Sequence, residues 1–194
     1  MIHLARKNTP LLLLILAIIV CSLYFALRGS GGEKKISSTS EISKKDCTVT
    51  QTTETVSGNS MMGLLENGQE ITVLKGYYRC NEVKRNDTII YPYAGNPIPI
   101  VKSVKALPGD RFGLKKDKTG LWNILVNDVI LTTSNGTPYA LSEPKSKMLA
   151  LYADSYHGVI PADAYIILGN LPGGTMDSTQ FGLVNRVDFI GKVQ

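Results

Sequence analysis

The chain has 194 residues, with 21 Lys and Arg against 16 Asp and Glu for a net charge of +5, and only 7% aromatic residues. The positive excess is not laid out as a basic stripe interleaved with aromatics, which argues against a nucleic-acid partner. Much of it lies instead at Arg28, Lys34, Lys35, Lys44 and Lys45, where anionic lipid headgroups are the fitting counter-charge.

Residues 11–27 read LLLLILAIIVCSLYFAL, an uncharged run within the roughly 17 to 25 apolar residues that cross a bilayer as a helix. No Ala-x-Ala pattern follows it, so the run is expected to be an uncleaved transmembrane anchor behind a cytoplasmic tip, 1–10. Arg6 and Lys7 before it and Arg28, Lys34 and Lys35 after it leave the positive-inside count undecided. Residues 28–56 are rich in Gly, Ser, Thr and Lys and are expected to form a polar tether, with a strand near Cys47-Thr48-Val49-Thr50. Residues 57–194 then suffice for one domain with one core.

That domain breaks into short β-branched and aromatic runs at 70–74, 88–93, 98–107, 110–114, 121–126, 129–133, 164–168 and 187–193. Turn residues separate them, among them Lys118-Thr119-Gly120, Asn127-Asp128 and Asn135-Gly136. Helical periodicity is nearly absent, so the expected fold is an all-β barrel or sandwich of short strands behind one N-terminal transmembrane helix. Cys21 lies in the apolar run, and Cys47 and Cys80 allow either one disulfide or two thiols. Without a Cys-x-x-Cys pattern, no zinc site is expected.

Two segments carry chemistry. In Gly58-Asn59-Ser60-Met61-Met62 a serine opens an apolar turn; in Val101-Lys102-Ser103-Val104-Lys105-Ala106-Leu107-Pro108-Gly109-Asp110 a lysine sits in an apolar strand that ends at a Pro-Gly turn. Alternation along that strand puts Lys102 on one face with Ile100, Val104 and Ala106, and turns Lys105 to the other. An amine on an apolar face is desolvated, and its pKa falls from about 10.4 toward the operating pH, as a general base requires. Alone, Ser60 reads as a turn serine and Lys102 as a solvated lysine; together they are the pair that a Ser-Lys hydrolase requires. Leu107-Pro108-Gly109-Asp110 has the residues of a type II turn and is expected to close a hairpin into 110–114. Two further patterns are set aside. Ser142-Glu143-Pro144-Lys145 and Lys118-Thr119-Gly120 imitate penicillin-binding motifs in reversed order and read as loops. His157 with Asp154 or Asp163 would build a triad on Ser60, but Lys102 already fills the base position.

With these residues the chain resembles the type I signal peptidases, membrane-anchored serine endopeptidases that use a Ser-Lys dyad. Ser60-Met61 is similar to the family's nucleophile box, and Arg85-Asn86-Asp87 to its Arg-Gly-Asp, with Asn86 in place of Gly. Lys102 falls on the general base, six residues before Pro108. Residues 169–182 fit the ungapped pattern Gly-Asp-Asn-x-x-x-Ser-x-Asp-Ser-Arg-x-x-Gly at Gly169, Asp177, Ser178 and Gly182, with Thr175 keeping the hydroxyl of the first Ser. Asn170, Leu171 and Thr179 depart from this pattern, as do Ser103 after the lysine and Gly63 after the nucleophile box. Gly58 carries no hydroxyl for an oxyanion hole, which leaves the Ser60 N–H as a main donor.

The resemblance implies that Ser60 is the nucleophile and Lys102 the base. Met61 would contact substrate, Thr175 would hydrogen-bond the lysine amine, and Asp177, Gly169 and Ser178 would support the site. It implies no metal or cofactor, an extended substrate cleaved after small residues, and an extracytoplasmic catalytic domain in the plasma (inner) membrane. The expected substrates are exported preproteins. A conjugative-transfer peptidase that matures a pilin precursor and an inactive substrate-binding relative are the alternatives, the first suggested by Asp177-Ser178-Thr179-Gln180-Phe181-Gly182 and the second by the altered last box.

Overall fold

The computed structural model describes residues 47–93 and 97–194. The apolar run 11–27 and most of the tether lie outside the described residues. Among the described residues no helix is long and apolar enough to cross a membrane.

The domain is mostly β, built of two antiparallel sheets. In chain order the strands are β1 (Thr50–Thr55), β2 (Glu70–Lys75), β3 (Thr88–Tyr91), β4 (Ile100–Ala106), β5 (Phe112–Lys116), β6 (Trp122–Val126), β7 (Val129–Ile130), β8 (Ala140–Leu141), β9 (Ala164–Leu168), β10 (Val184–Asn185) and β11 (Gly191–Val193). Two helices, α1 (Glu143–Ser155) and α2 (Ser178–Phe181), flank β9 in sequence. The larger sheet has the order β1-β2-β11-β3-β4-β9-β10; the smaller has β5-β6-β7, with β8 also paired to β6. Of the stretch read as tether, Thr50–Thr55 is the edge strand of the larger sheet, in register with β2 from Thr50–Lys75 to Thr55–Glu70.

Three expectations need correction. The domain is not all-β: the segment set aside as a loop at Ser142-Glu143-Pro144-Lys145 starts the 13-residue helix α1, with Ser142 at the N-cap and Pro144 in the first turn, where its missing N–H costs nothing. Ser146 and Leu149 of α1 are buried and Tyr152 and Ala153 pack beside them, but the apolar residues run unbroken from 148 to 153, so periodicity does not single out the buried face. The run 187–193 is divided, with a 3-10 turn at Arg186–Asp188 and pairing confined to Gly191–Val193. The Pro108-Gly109 turn has the expected geometry, Gly109 at φ 84° and Asp110 N–H donating to Leu107 O at 3.1 Å, but it does not close a hairpin. β4 pairs with β3 and β9, whereas β5 pairs with β6, so this turn carries the chain from one sheet to the other. Asp110 anchors it by accepting from Leu107 N–H at 2.6 Å and from Arg85 through both carboxylate oxygens at 2.8 Å.

β4 lies inside the larger sheet, and its alternation is broken by a bulge between Val104 and Ala106 opposite Ile167 and Ile166. An extra residue in one strand flips the faces beyond it. Val104 therefore packs with Ile89, Tyr165 and Ile167, while Ala106 packs with Ile124, Leu149 and Ile166 in a separate core cluster. The single apolar face expected for Ile100, Lys102, Val104 and Ala106 does not extend past the bulge. Lys105, at the bulge, is itself buried, and its amine donates to Asn86 Oδ1 at 3.3 Å.

Asn86 has φ 66°. Glycine enters this left-handed region freely and asparagine enters it more readily than other residues with a Cβ, which accounts for Asn where the resemblance has Gly. Asp87 beside it is buried and receives Tyr78 Oη, Lys84 N–H and Lys192 Nζ, so this box is a structural brace. Cys47 and Cys80 are joined in a disulfide with their Cα atoms 5.6 Å apart, tying the residues before β1 to the turn after β2.

Candidate active site

Ser60 opens the turn that follows β1, and Lys102 projects from β4, 42 residues further on. The Lys102 amine lies 2.8 Å from Ser60 Oγ and also donates to Val101 O at 2.7 Å. Lys102 is 1% exposed. Burial lowers its pKa from 10.5 to about 8, and the Asp177 carboxylate opposes part of that change. The pair therefore holds an amine that is a base near neutrality against a hydroxyl it can deprotonate.

The turn around Ser60 is fixed at its carbonyls. Ser60 O accepts from Asn170 N–H at 2.7 Å, Met61 O from Leu64 and Leu65 N–H at 2.9 Å, and Met62 O from Asn170 Nδ2 at 2.8 Å. The Ser60 N–H has no acceptor among the described residues, so it is available to a developing oxyanion. Met61 is 1% exposed and lines the cleft beside Ser60.

The 169–182 box packs against this turn. A Cβ at Gly169 would collide with Thr175 Oγ1 and with Ser60 O, so only glycine allows the close approach. Asp177 is fully buried and caps α2. Its Oδ2 accepts from Gly169 N–H, Thr175 N–H and Thr175 Oγ1, and its Oδ1 from Thr179 N–H and Thr179 Oγ1. Five donors meet the requirement for burying a carboxylate. Thr179, where the resemblance has Arg, supplies two of them. Ser178 is buried, and its Oγ accepts from Ile167 N–H in β9. The Thr175 hydroxyl donates to Asp177 at 2.6 Å, not to the Lys102 amine as expected.

Two residues of this environment carry no motif, and a third belongs to a pattern set aside as a loop. Tyr139, fully buried, donates to Gly169 O at 2.6 Å. Ser134 binds Asn170 through both its N–H and its hydroxyl. Lys145 of α1 donates to Gly173 O at 2.7 Å and so holds the loop before Thr175. His157 is exposed in the turn after α1 and lines a hollow with Arg111 and Asp128 that shares no residue with the Ser60 cleft. Among the described residues no group of His, Cys, Asp or Glu is placed to hold a metal ion.

A cleft of about 480 Å³ runs from Ser60 and Lys102 to the Glu54–Lys75 ion pair. Its apolar lining includes Ile71, Val73, Ile90 and Val101, and residues 54–57 and 98–100 border it as well.

A buried amine against a turn serine, at a cleft of mixed polar and apolar lining in a mostly β domain, is an arrangement that suits a serine hydrolase. Residues 47–194 match the family model described as signal peptidase, peptidase S26. Signal peptidase I of Bacillus caldolyticus is 30% identical over 146 residues, covering 71% of this chain and 74% of that protein. Signal peptidase IB of Staphylococcus aureus (strain COL) is 26% identical over 152 residues, covering 72% and 73%. The crystal structure of a signal peptidase I from Enterococcus faecalis V583 aligns with 59% of this chain and 98% of that chain, at 19% identity and a TM-score of 0.37. The chain belongs to the signal peptidase family, peptidase S26, and is a serine endopeptidase of the signal peptidase I type.

Proposed function

We propose that this protein is a membrane-anchored signal peptidase that removes signal peptides from exported preproteins after small residues, with Ser60 as nucleophile and Lys102 as general base. The observation that carries the reading is the 2.8 Å approach of a buried amine, with its pKa lowered to about 8, to Ser60 Oγ. Neutral Lys102 takes the Ser60 proton as Oγ bonds to the scissile carbonyl carbon, and the Ser60 N–H stabilises the oxyanion. The Lys102 ammonium then returns the proton to the leaving amine as the C–N bond breaks. Water, deprotonated by the same amine, attacks the acyl-enzyme and releases the new carboxyl end with Ser60 restored.

The substrate would lie extended along the cleft. β9 pairs with β4 only from Ser103 onward, so the edge of residues 100–102 beside Ser60 suits strand addition. The apolar run 11–27 would anchor the chain, with residues 47–194, which include the edge strand β1, as catalytic domain on the extracytoplasmic side. The Cys47–Cys80 disulfide favours that side, since disulfides persist in oxidising compartments. Asp177 would support the dyad by favouring the Lys102 ammonium as it forms, with Thr175, Gly169 and Ser178 holding that carboxylate and its strand.

The test is cleavage of a preprotein and of a pilin precursor by the purified full-length protein in detergent. Wild type should cut the preprotein, and Ser60→Ala and Lys102→Ala should each be inactive while remaining folded, because nucleophile and base act as one unit. Near-normal turnover by either variant would remove the dyad; cleavage of the pilin precursor alone would assign the pilin-maturing role.

A further inference from the structure

We propose that Asn170 is a positioning residue for the nucleophile: its neutral amide sets the turn that carries Ser60, and an aspartate at this position would impair the enzyme. This inference rests on the Ser60–Lys102 reading.

Asn170 is buried directly after Gly169. It grips the nucleophile turn on both sides of Met61, through its backbone N–H to Ser60 O at 2.7 Å and through Nδ2 to Met62 O at 2.8 Å. The same Nδ2 donates to Ser134 Oγ at 2.7 Å, and Oδ1 accepts from Ser134 N–H at 2.8 Å. The turn of the larger sheet is thereby pinned to the segment between β7 and β8. Two of these partners are backbone groups of opposite polarity, a carbonyl at Met62 and an N–H at Ser134. They fix which end of the amide faces which partner, and they require a side chain that donates at one end and accepts at the other. Gly63 allows this approach, since a Cβ there would stand 3.3 Å from Asn170 Nδ2.

Aspartate, the residue that the family pattern has at this position, fills the same volume but has no donor when ionised. The Ser134 contacts would survive it, because the Ser134 hydroxyl can rotate to donate. The Met62 carbonyl would instead face a carboxylate oxygen, which is repulsive and leaves a buried acceptor unmatched. Displacing Met62 moves Ser60 against a Lys102 amine whose place is set by β4, and small misplacements of reacting atoms cost rate more than binding. Asn170 is not among the residues that line the cleft.

The experiment compares wild type, Asn170→Asp, Ser134→Ala and Ser60→Ala as full-length proteins in detergent, measuring kcat and KM on one preprotein-derived peptide. Unfolding is followed alongside. Asn170→Asp should lower kcat about ten- to a hundredfold with KM changed less than about threefold. The ratio of wild-type to Asn170→Asp kcat should narrow as pH falls through the titration of the introduced carboxyl, because its protonated form can again donate to Met62 O. A merely structural role would not produce that pH signature. Ser134→Ala should lower kcat about two- to fivefold at constant KM. A folded Asn170→Asp variant with wild-type kcat overturns the proposal. If Asn170→Asp does not fold, Ser134→Ala decides: a fall in kcat supports the clamp and an unchanged kcat overturns it. Activity in Ser60→Ala would reject the dyad itself; an inactive Ser60→Ala beside a fully active Asn170→Asp would reject only the clamp.

Discussion

Replacing Lys102 by Met should destroy cleavage and, at neutral pH, stabilise the domain. Lys102 is 1% exposed, and its pKa falls from 10.5 to about 8 because burial penalises the ammonium more than Asp177 favours it. That difference corresponds to about 3 kcal/mol held against the charged form. In the unfolded chain the amine titrates near 10.5, in the folded domain near 8. Below pH 8 both states carry the proton and the full penalty applies. Between the two values the unfolded state binds more protons, so wild-type stability rises with pH, and above 10.5 the penalty is gone. Methionine keeps the flexible apolar stem without the charge but loses the hydrogen bonds to Ser60 Oγ and Val101 O, at about 1 kcal/mol each. Lys102→Met should therefore be more stable than wild type by about 1 kcal/mol at about pH 6.5 and less stable by about 2 kcal/mol near pH 11. Urea unfolding of both full-length proteins, followed by fluorescence of Trp122, the single tryptophan, measures the difference. In parallel, wild-type kcat/KM should rise with pH through a midpoint near 8. A stability difference identical at both pH values, or an activity midpoint near 10.5, would refute the desolvated base.

Thr175→Val removes a hydroxyl donor from the buried Asp177 and should cost about 1 to 3 kcal/mol of stability, whereas Thr175→Ser should retain most of it; chemical unfolding at neutral pH separates them. Opening the Cys47–Cys80 bridge, which spans 33 residues, should cost about 3 to 4 kcal/mol, read as a lower urea midpoint for a Cys47→Ser/Cys80→Ser variant. Asn86→Gly and Asn86→Ala both remove the acceptor of the Lys105 amine and should both destabilise, Asn86→Ala by about 1 kcal/mol more because φ 66° suits glycine and penalises a Cβ; equal stabilities would contradict the backbone argument.

What could be read in advance depended on how local each signal is. The run at 164–168 matches β9 residue for residue, and 70–74 matches β2 within one residue, because both are short β-branched segments bounded by turns. Helix α1 left no comparable trace: it rests on the core through Ser146, Leu149, Tyr152 and Ala153, but its apolar residues run together at 148–153, so the buried face does not stand out as a 3.6-residue pattern. The Pro108-Gly109 turn shows the same division. Its local geometry follows from Pro and Gly, but whether it closes a hairpin or changes sheets depends on which strands pair, and pairing is settled by distant residues.

The sequence by itself pointed to the family and to Ser60 and Lys102 as a pair, because the serine, the lysine and the turn residues stand in ordered boxes. It also marked Gly169 as agreeing with the family pattern and Asn86 as departing from it, but the close approach at 169 and the left-handed backbone at 86 that explain them came from the structure. Only the tertiary structure decided that Cys47 meets Cys80, that a bulge at Lys105 ends the apolar face of Lys102, that Thr175 serves Asp177, and that Ser134 and Asn170 hold the nucleophile turn. The disulfide and the clamp join residues far apart in the chain, and the bulge depends on how β4 pairs with β9. Such contacts follow from how two sheets pack, and they impose no periodicity on the residues that make them.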